Sequence, residues 1–447
     1  MGQTKSLVLL AGAALSLCAS GALAQQASSD EIRATVAEML SDAETRSSLL
    51  SSGDAGHDGR FFIAGDGFRL NVGGQLQVRY IADFRDDQNN DDFINGFQLR
   101  RIKLNFQGDI NKDWFFRVRA SADSGGVVEN ELDTGGNPTG RFTSANTGGF
   151  SPDYAYAGYK FANGVRVTAG QFKLPLLREE LVGDERQLAA ERSVTNYVFT
   201  QDYSQGVMFD YETETWRGAV AFSDGLATRN TDYTNDQLSS WFVSGGGLGE
   251  SDFAVTARFE YLFSGGWKMF DDFTAAKGQD FGAMAGVAGH YQSSANSNIT
   301  TDVDVQTLQY TADVTLEGDS WNIYGAFIGR HQDQRTGGAD TDFADFGAVV
   351  QGGWRFAENT ELFARWDAIF GDEDRAAFAT EDQFNFVTFG LNHYWAGHAA
   401  KGTLDVVWSL DSTSGPLGGI LPNTAVGLAG DTEENEIAFR AQFQLLF

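Results

Sequence analysis

From residue 61 onward the chain alternates apolar and polar positions in runs. Leu76, Val78 and Tyr80 alternate with Gln75, Gln77 and Arg79; Ile102, Leu104 and Phe106 alternate with Arg101, Lys103, Asn105 and Gln107. Phe116, Val118 and Ala120 do the same with Arg117, Arg119 and Ser121, and the period of two returns in 255–261, 308–316 and 404–410. Successive side chains of a strand face opposite sides, so each run has one greasy and one wet face. Sixteen such runs occur, centred near residues 75, 103, 118, 157, 168, 208, 219, 258, 285, 310, 326, 350, 365, 389, 406 and 441. Their connections alternate in length. Short ones include 111–113, 162–164, 212–215, 318–319 and 357–360, with 264–278 a longer member of that set. Long ones lie at about 81–96, 124–152, 173–203, 224–251, 292–302, 332–342, 371–382 and 411–433. Seven short and eight long connections are what sixteen antiparallel strands produce when both chain ends lie on the short-turn side. The pattern predicts an all-β fold, a sixteen-stranded antiparallel transmembrane β-barrel over 61–447.

The end of the chain carries the same signal. Ile437, Phe439, Ala441, Phe443, Leu445 and Phe447 occupy every second position, with Ala438, Arg440, Gln442 and Gln444 between them. A lipid-facing strand closing on Phe447 fits a barrel wall, because only a helix or a closed sheet pairs every backbone group at membrane depth. Sixteen strands enclose a circumference too wide for side chains to fill, which predicts a water channel.

Ahead of the barrel the period changes. Residues 1–24 read as a secretory signal peptide, with Lys5, an apolar stretch from Leu7 to Ala19, and the Ala22-Leu23-Ala24 cleavage site. Residues 25–60 form a second segment: Ser29 and Asp30 cap a short N-terminal periplasmic helix over 28–50, and 51–58 is a small-residue linker.

Composition narrows the function. A net charge of −29 argues against nucleic acid, whose phosphates need a basic surface. With 36 Phe, 13 Tyr and 9 Trp the chain packs, and with 5 Pro it tolerates a continuous hydrogen-bonded ladder. Cys18, in the leader, is the single cysteine, so the exported chain has no disulfide framework. The five histidines stand in no G-x-S-x-G or H-E-x-x-H setting, so neither a catalytic site nor a cofactor is expected. Acidic clusters at 83–92, 372–374 and 431–436 read as solvated loop surface rather than a dedicated metal site.

The blocks GFRLNVGGQLQVRY (67–80), FQLRRIKLNFQGDINKDWFFRVRA (97–120), AGQFKLPLLREEL (169–181), ERSVTNYVF (191–199) and SQGVMFDY (204–211) resemble the phosphate-selective porin O/P family. The resemblance covers about 61–223. It implies a sixteen-stranded diffusion channel in the bacterial outer membrane, in contact with its lipid and lipopolysaccharide, and a homotrimer. It also implies a lumen whose basic residues favour anions, phosphate among them.

Parity bears on that last point. Arg79, Arg101, Lys103, Arg117, Arg119 and Arg166 fall on the wet face, and Lys160 joins them. The stretch 69–192 holds 16 of the 32 basic residues. Confined guanidinium groups concentrate anions and offer a fork suited to phosphate or carboxylate. A row of arginines facing an acidic loop would instead give a transverse field without strong anion preference, and both readings stand. The third long connection, 173–203, is the expected constriction. It carries Lys173, Arg178, Arg186 and Arg192 against six carboxylates, and its Leu174, Leu176, Leu177, Leu181 and Leu188 would pin it inside the barrel. It lacks a dense lysine cluster, so a broad, weakly anion-preferring channel for small hydrophilic solutes is expected. The alternative is a structural outer-membrane anchor with a plugged barrel.

Overall fold

The computed structural model describes residues 54–58, 60–85, 93–122, 128–132, 138–144, 150–231, 250–296, 303–336, 339–375, 381–413, 421–430 and 435–447. The expected leader over 1–24, the helix over 28–50 and much of the acidic first and eighth long loops lie outside the described residues.

Sixteen strands form one closed antiparallel barrel. They are β1 (Phe68–Phe84), β2 (Phe93–Ile110), β3 (Trp114–Ser121), β4 (Ser151–Lys160), β5 (Arg166–Lys173), β6 (Tyr203–Glu212), β7 (Trp216–Ser223) and β8 (Glu250–Ser264). The second half is β9 (Gly282–Asn296), β10 (Val303–Gly318), β11 (Trp321–Thr336), β12 (Ala339–Ala357), β13 (Thr360–Phe370), β14 (Gln383–Tyr394), β15 (Ala400–Ser409) and β16 (Ile437–Leu446). Each alternating run of the sequence contains one strand. A short strand, Phe61–Gly65, continues the wall by pairing with the start of β1. Alternation works as expected on the outside: Phe97, Leu99, Phe209, Phe222, Phe259, Val287, Leu404 and Phe439 are exposed apolar side chains.

The barrel closes where β16 pairs with β1, from Ile437 opposite Phe84 to Leu446 opposite Gln75. Phe447 extends the seam. Its carbonyl accepts from the Gly74 N–H at 2.7 Å, and its N–H donates to the Gly74 carbonyl at 3.1 Å. The Phe447 ring occupies the space a side chain at position 74 would need, since a Cβ there would stand 2.2 Å from Cζ.

The interior differs from the open channel expected of this strand number. Sixteen strands leave more room than wall side chains can fill, and three connecting segments take up much of it. The third long connection enters from one end. The connection between β8 and β9 enters from the short-turn end: it forms a 3-10 turn at Trp267–Asp271 and buries Phe270, Phe273 and Ala275. Phe273 packs with Tyr324, Val349 and Phe363 of the wall and with Val182, Leu188 and Ala189 of the third connection. The eighth long connection buries Leu421, Val426 and Leu428 against the same third connection. Inward residues of β8 to β16, such as Thr256, Gln309, Asp345, Thr388 and Gln444, are accordingly buried. Those of the short-turn halves of β2 to β7 are partly exposed, Asn105, Gln107, Arg117, Tyr154, Tyr156 and Asp210 among them.

Candidate functional site

Loop 3, residues 174–202, leaves β5 at Lys173 and crosses the interior. It contains α1 (Arg178–Leu181), a 3-10 turn at Asp184–Arg186 and α2 (Val194–Phe199). Its leucines explain why it stays inside: Leu174, Leu176, Leu177 and Leu188 are 0–2% exposed, with Leu181 half-buried. Ser193 caps α2 by accepting from the Asn196 N–H at 2.9 Å, which spares an orphan donor at a buried helix start. Gly347 of β12 makes room for that helix, because a Cβ there would press on Thr195 and Phe199.

Polar groups on the opposite wall hold the crossing. The Ala190 N–H donates to Asp405 at 2.9 Å and the Thr195 N–H to Asp367 at 3.1 Å. Lys401 donates to the Gln187 carbonyl at 2.8 Å, Asn392 to the Leu188 carbonyl at 2.9 Å, and Arg365 to the Glu191 carbonyl at 3.0 Å. Loop 3 also reaches the β8–β9 connection: Arg186 lies 3.6 Å from Asp271, and Arg178 donates to the Phe270 carbonyl at 2.6 Å and to Thr315 at 2.9 Å.

Of the basic residues placed on the wet face by parity, Arg79, Arg101, Lys103 and Arg119 converge at loop 3, joined by Arg100, and they meet its carboxylates. Arg79, Arg100 and Arg101 approach Glu191 at 2.9, 2.5 and 2.8 Å. Arg101 and Lys103 lie 2.6 and 3.0 Å from Asp184. Lys103 and Arg119 lie 3.3 and 3.1 Å from Asp153 of β4, and Arg229 reaches the same carboxylate from the fourth long loop at 3.5 Å. Within the loop, Glu180 pairs with Lys173 and with Arg192, the latter at 3.4 Å. Burial works against a charged Glu180, but Arg192 and Lys173 outweigh it and hold the carboxyl at about 2. Glu191 is likewise kept far below the usual carboxylate range, its burial overcome by Arg100, Arg101 and Arg79. Among the expected residues, Lys160 and Arg166 sit apart: they are opposite one another at the short-turn rim, exposed, with Arg166 paired to Asp210.

Sequence reading passed over Arg100, which parity puts on the lipid side. A bulge opposite Gln77 and Val78 turns Arg100 and Arg101 inward together; the adjacent arginines of an otherwise alternating strand were the available signal. Asp153 sits in a second bulge, opposite Arg119 and Ala120.

Arg117 stands out on the part-exposed wall. Its Nε donates to Asn105 at 2.7 Å and its guanidinium lies 4.2 Å from the Tyr154 ring centre. Among the described residues no carboxylate comes within ion-pair distance of it. His290, by contrast, is fully engaged with Thr256 and Gln292 at 2.8 and 3.2 Å, the pattern of a buried packing histidine.

Residues 70–245 match the family model for phosphate-selective porin O and P. An uncharacterized protein of Aquifex aeolicus (strain VF5) is 22% identical over 275 residues, 57% of this chain; the chain spans only 62% of that relative's length. Among solved structures, the outer membrane channel DcaP of Acinetobacter baumannii superposes with a TM-score of 0.56 at 12% identity, covering 88% of this chain and all 100% of that one. Salmonella typhi OmpF, solved with daunomycin, gives 0.54 at 12% identity over 86% and 100%. These likenesses are of fold. The match of residues 70–245 to the model for phosphate-selective porin O and P, with the closed sixteen-stranded wall, places the chain in the bacterial outer membrane.

Proposed function

We propose that the chain is a diffusion channel for small hydrophilic solutes with a modest preference for anions, phosphate included, and that it works as a homotrimer. The observation that carries the anion preference is Arg117: a part-exposed guanidinium on the unfilled side of the barrel, without a carboxylate partner among the described residues. A fixed cation in a narrow, low-dielectric passage raises the local anion concentration. Arg79, Arg100, Arg101, Lys103 and Arg119 add less, because they are buried beneath loop 3 and partly offset by Glu191, Asp184 and Asp153. That balance supports weak selectivity rather than a dedicated phosphate site, and no catalytic role is proposed. A second reading, a structural anchor with a plugged barrel, draws on the filled interior along β8 to β16.

Planar-bilayer recording of the purified protein separates them. The channel reading expects discrete conductance steps and, under a KCl gradient, a reversal potential on the anion-selective side. Arg117→Glu is expected to move that potential toward cations. Silence in the bilayer would favour the anchor; conduction with an unmoved potential would remove Arg117 from the selectivity argument.

A further inference from the structure

The part-exposed wall bears more than one arginine. On β3 and β4, paired positions set a guanidinium beside a ring in two rows, Arg119 opposite Tyr154 and Arg117 opposite Tyr156, and Phe115 opposite Gly158 adds a ring in the next. The rings touch in series. Tyr203 and Tyr154 have centres 5.0 Å apart, Tyr154 and Tyr156 5.9 Å, and Tyr156 and Phe115 6.3 Å, all edge to face. Both guanidinium groups lean on Tyr154, Arg117 at 4.2 Å and Arg119 at 4.8 Å from its centre. Gly158 lets the Phe115 ring lie flat on the wall, since a Cβ there would stand 2.2 Å from its Cζ. Met208 of β6, also part-buried, packs against the same apolar cluster as Tyr154 and Tyr156. The upper end of this ladder, Arg119 and Tyr203, is buried under loop 3, while Phe115, Arg117, Tyr154 and Tyr156 remain part-exposed to the lumen.

Solvated cations alone would be enough to admit small inorganic anions, and a chain of interlocked rings contributes little to that. It offers flat apolar contact next to a fork-shaped donor. We propose that this wall is a binding track for organic anions that carry a carboxylate on an aromatic or similarly flat apolar body, in preference to compact hydrated anions such as phosphate. The proposal rests on the channel reading above and names the solute class. A compact anion gains most where several cations converge, and there Asp153 and Asp184 already occupy Lys103, Arg101 and Arg119. A flat aromatic acid avoids that competition: its carboxylate takes Arg117, and its ring lies against Tyr154, Tyr156 and Phe115. The aromatic contacts also tolerate sliding, because each ring presents a similar edge or face to the next position along the track.

The test uses the full-length protein in planar bilayers, with benzoate and inorganic phosphate as probes of the KCl current. The proposal expects benzoate to block at about a tenfold lower concentration than phosphate. Tyr154→Leu is expected to cut that benzoate-to-phosphate ratio about three- to tenfold, the range of a lost aromatic contact. Tyr156→Leu gives a second, independent route to the same loss. Equal block by the two probes, or an unchanged ratio in both variants, would overturn the proposal while leaving an anion-preferring channel intact. Absence of any KCl conductance would overturn the channel reading and this proposal together, whereas conduction selective for K⁺ with preferential benzoate block would overturn the anion preference alone.

Discussion

Glu191→Gln tests how loop 3 is held. Three guanidinium groups converge on that carboxylate at 2.9, 2.5 and 2.8 Å, and its side chain is 0% exposed. The amide keeps the shape and one acceptor but loses the charge, and its N–H₂ points at donors. Breaking a buried pair by removing one partner costs about 3–5 kcal/mol; with one acceptor retained, the low end of about 3 kcal/mol applies. The barrel wall is a continuous hydrogen-bonded ladder that does not depend on Glu191, so the cost falls on docking of the loop. At about 1.4 kcal/mol per factor of ten, the ratio of undocked to docked loop rises on the order of 100-fold. Single-channel recording reads this directly, as frequent transitions to a larger conductance, with the reversal potential moving further toward anions as Arg79, Arg100 and Arg101 are released. Wild-type gating and selectivity, in a variant that still shows the folded, heat-modifiable band on a gel, would refute Glu191 as the anchor.

Other expectations follow from the plugged interior and the seam. Phe273→Ala removes a fully buried ring from the contact between loop 3 and the β8–β9 connection, a loss of about 3–5 kcal/mol. Trypsin should then cut the native protein faster after Lys268 or Lys277, and resistance equal to wild type would contradict the docked arrangement. Acid should loosen the same connection from the periplasmic side. His398 donates to Asp272 at 3.1 Å; burial lowers the histidine below its ordinary 6.5, and the hydrogen bond from His398 lowers Asp272 despite its burial. The docked state therefore binds fewer protons than the released one, and its stability falls as pH drops below about 6.5. Conductance measured from about pH 7.5 to 5 should rise, and His398→Gln should flatten that rise; a flat wild-type profile would count against it. Gly74→Val puts a side chain where the Phe447 ring lies and should sharply reduce the yield of heat-modifiable barrel, so normal assembly would show the seam to be more accommodating than its geometry.

The wall was legible in the sequence because alternation is a local rule: a strand with one face in lipid and one in a polar interior must change character at every residue. Loop 3 was legible for a related reason, since Leu174, Leu176, Leu177 and Leu188 would be costly in solvent. Three things escaped. Arg100 turns inward because a bulge breaks the period, and a bulge depends on a partner strand. Pairing of the lumen arginines with Glu191, Asp184 and Asp153 depends on partners as far as 112 residues apart in the chain. The β8–β9 connection resembled a long turn, because Phe270 and Phe273 are too few to mark it as buried without knowing what lies above them. Net charge misled in the same way: −29 describes the whole chain, while at loop 3 clustered cations meet fewer carboxylates.

The seam sets the order of assembly. Leu446 lies opposite Gln75 and Phe447 bonds Gly74 in both directions, so strand residues as far apart as Gln77 and Gln444, 367 residues, must find each other. That contact closes the longest loop among the described strand pairings, and none of it forms until β16 has been delivered. Until then β1 and β16 are two long, unpaired edges bordered by outward-facing phenylalanines, the combination most prone to pairing with the wrong neighbour. The risk of misassembly is therefore concentrated in the interval before the seam pairs, and the fit of the Phe447 ring over Gly74 marks its end.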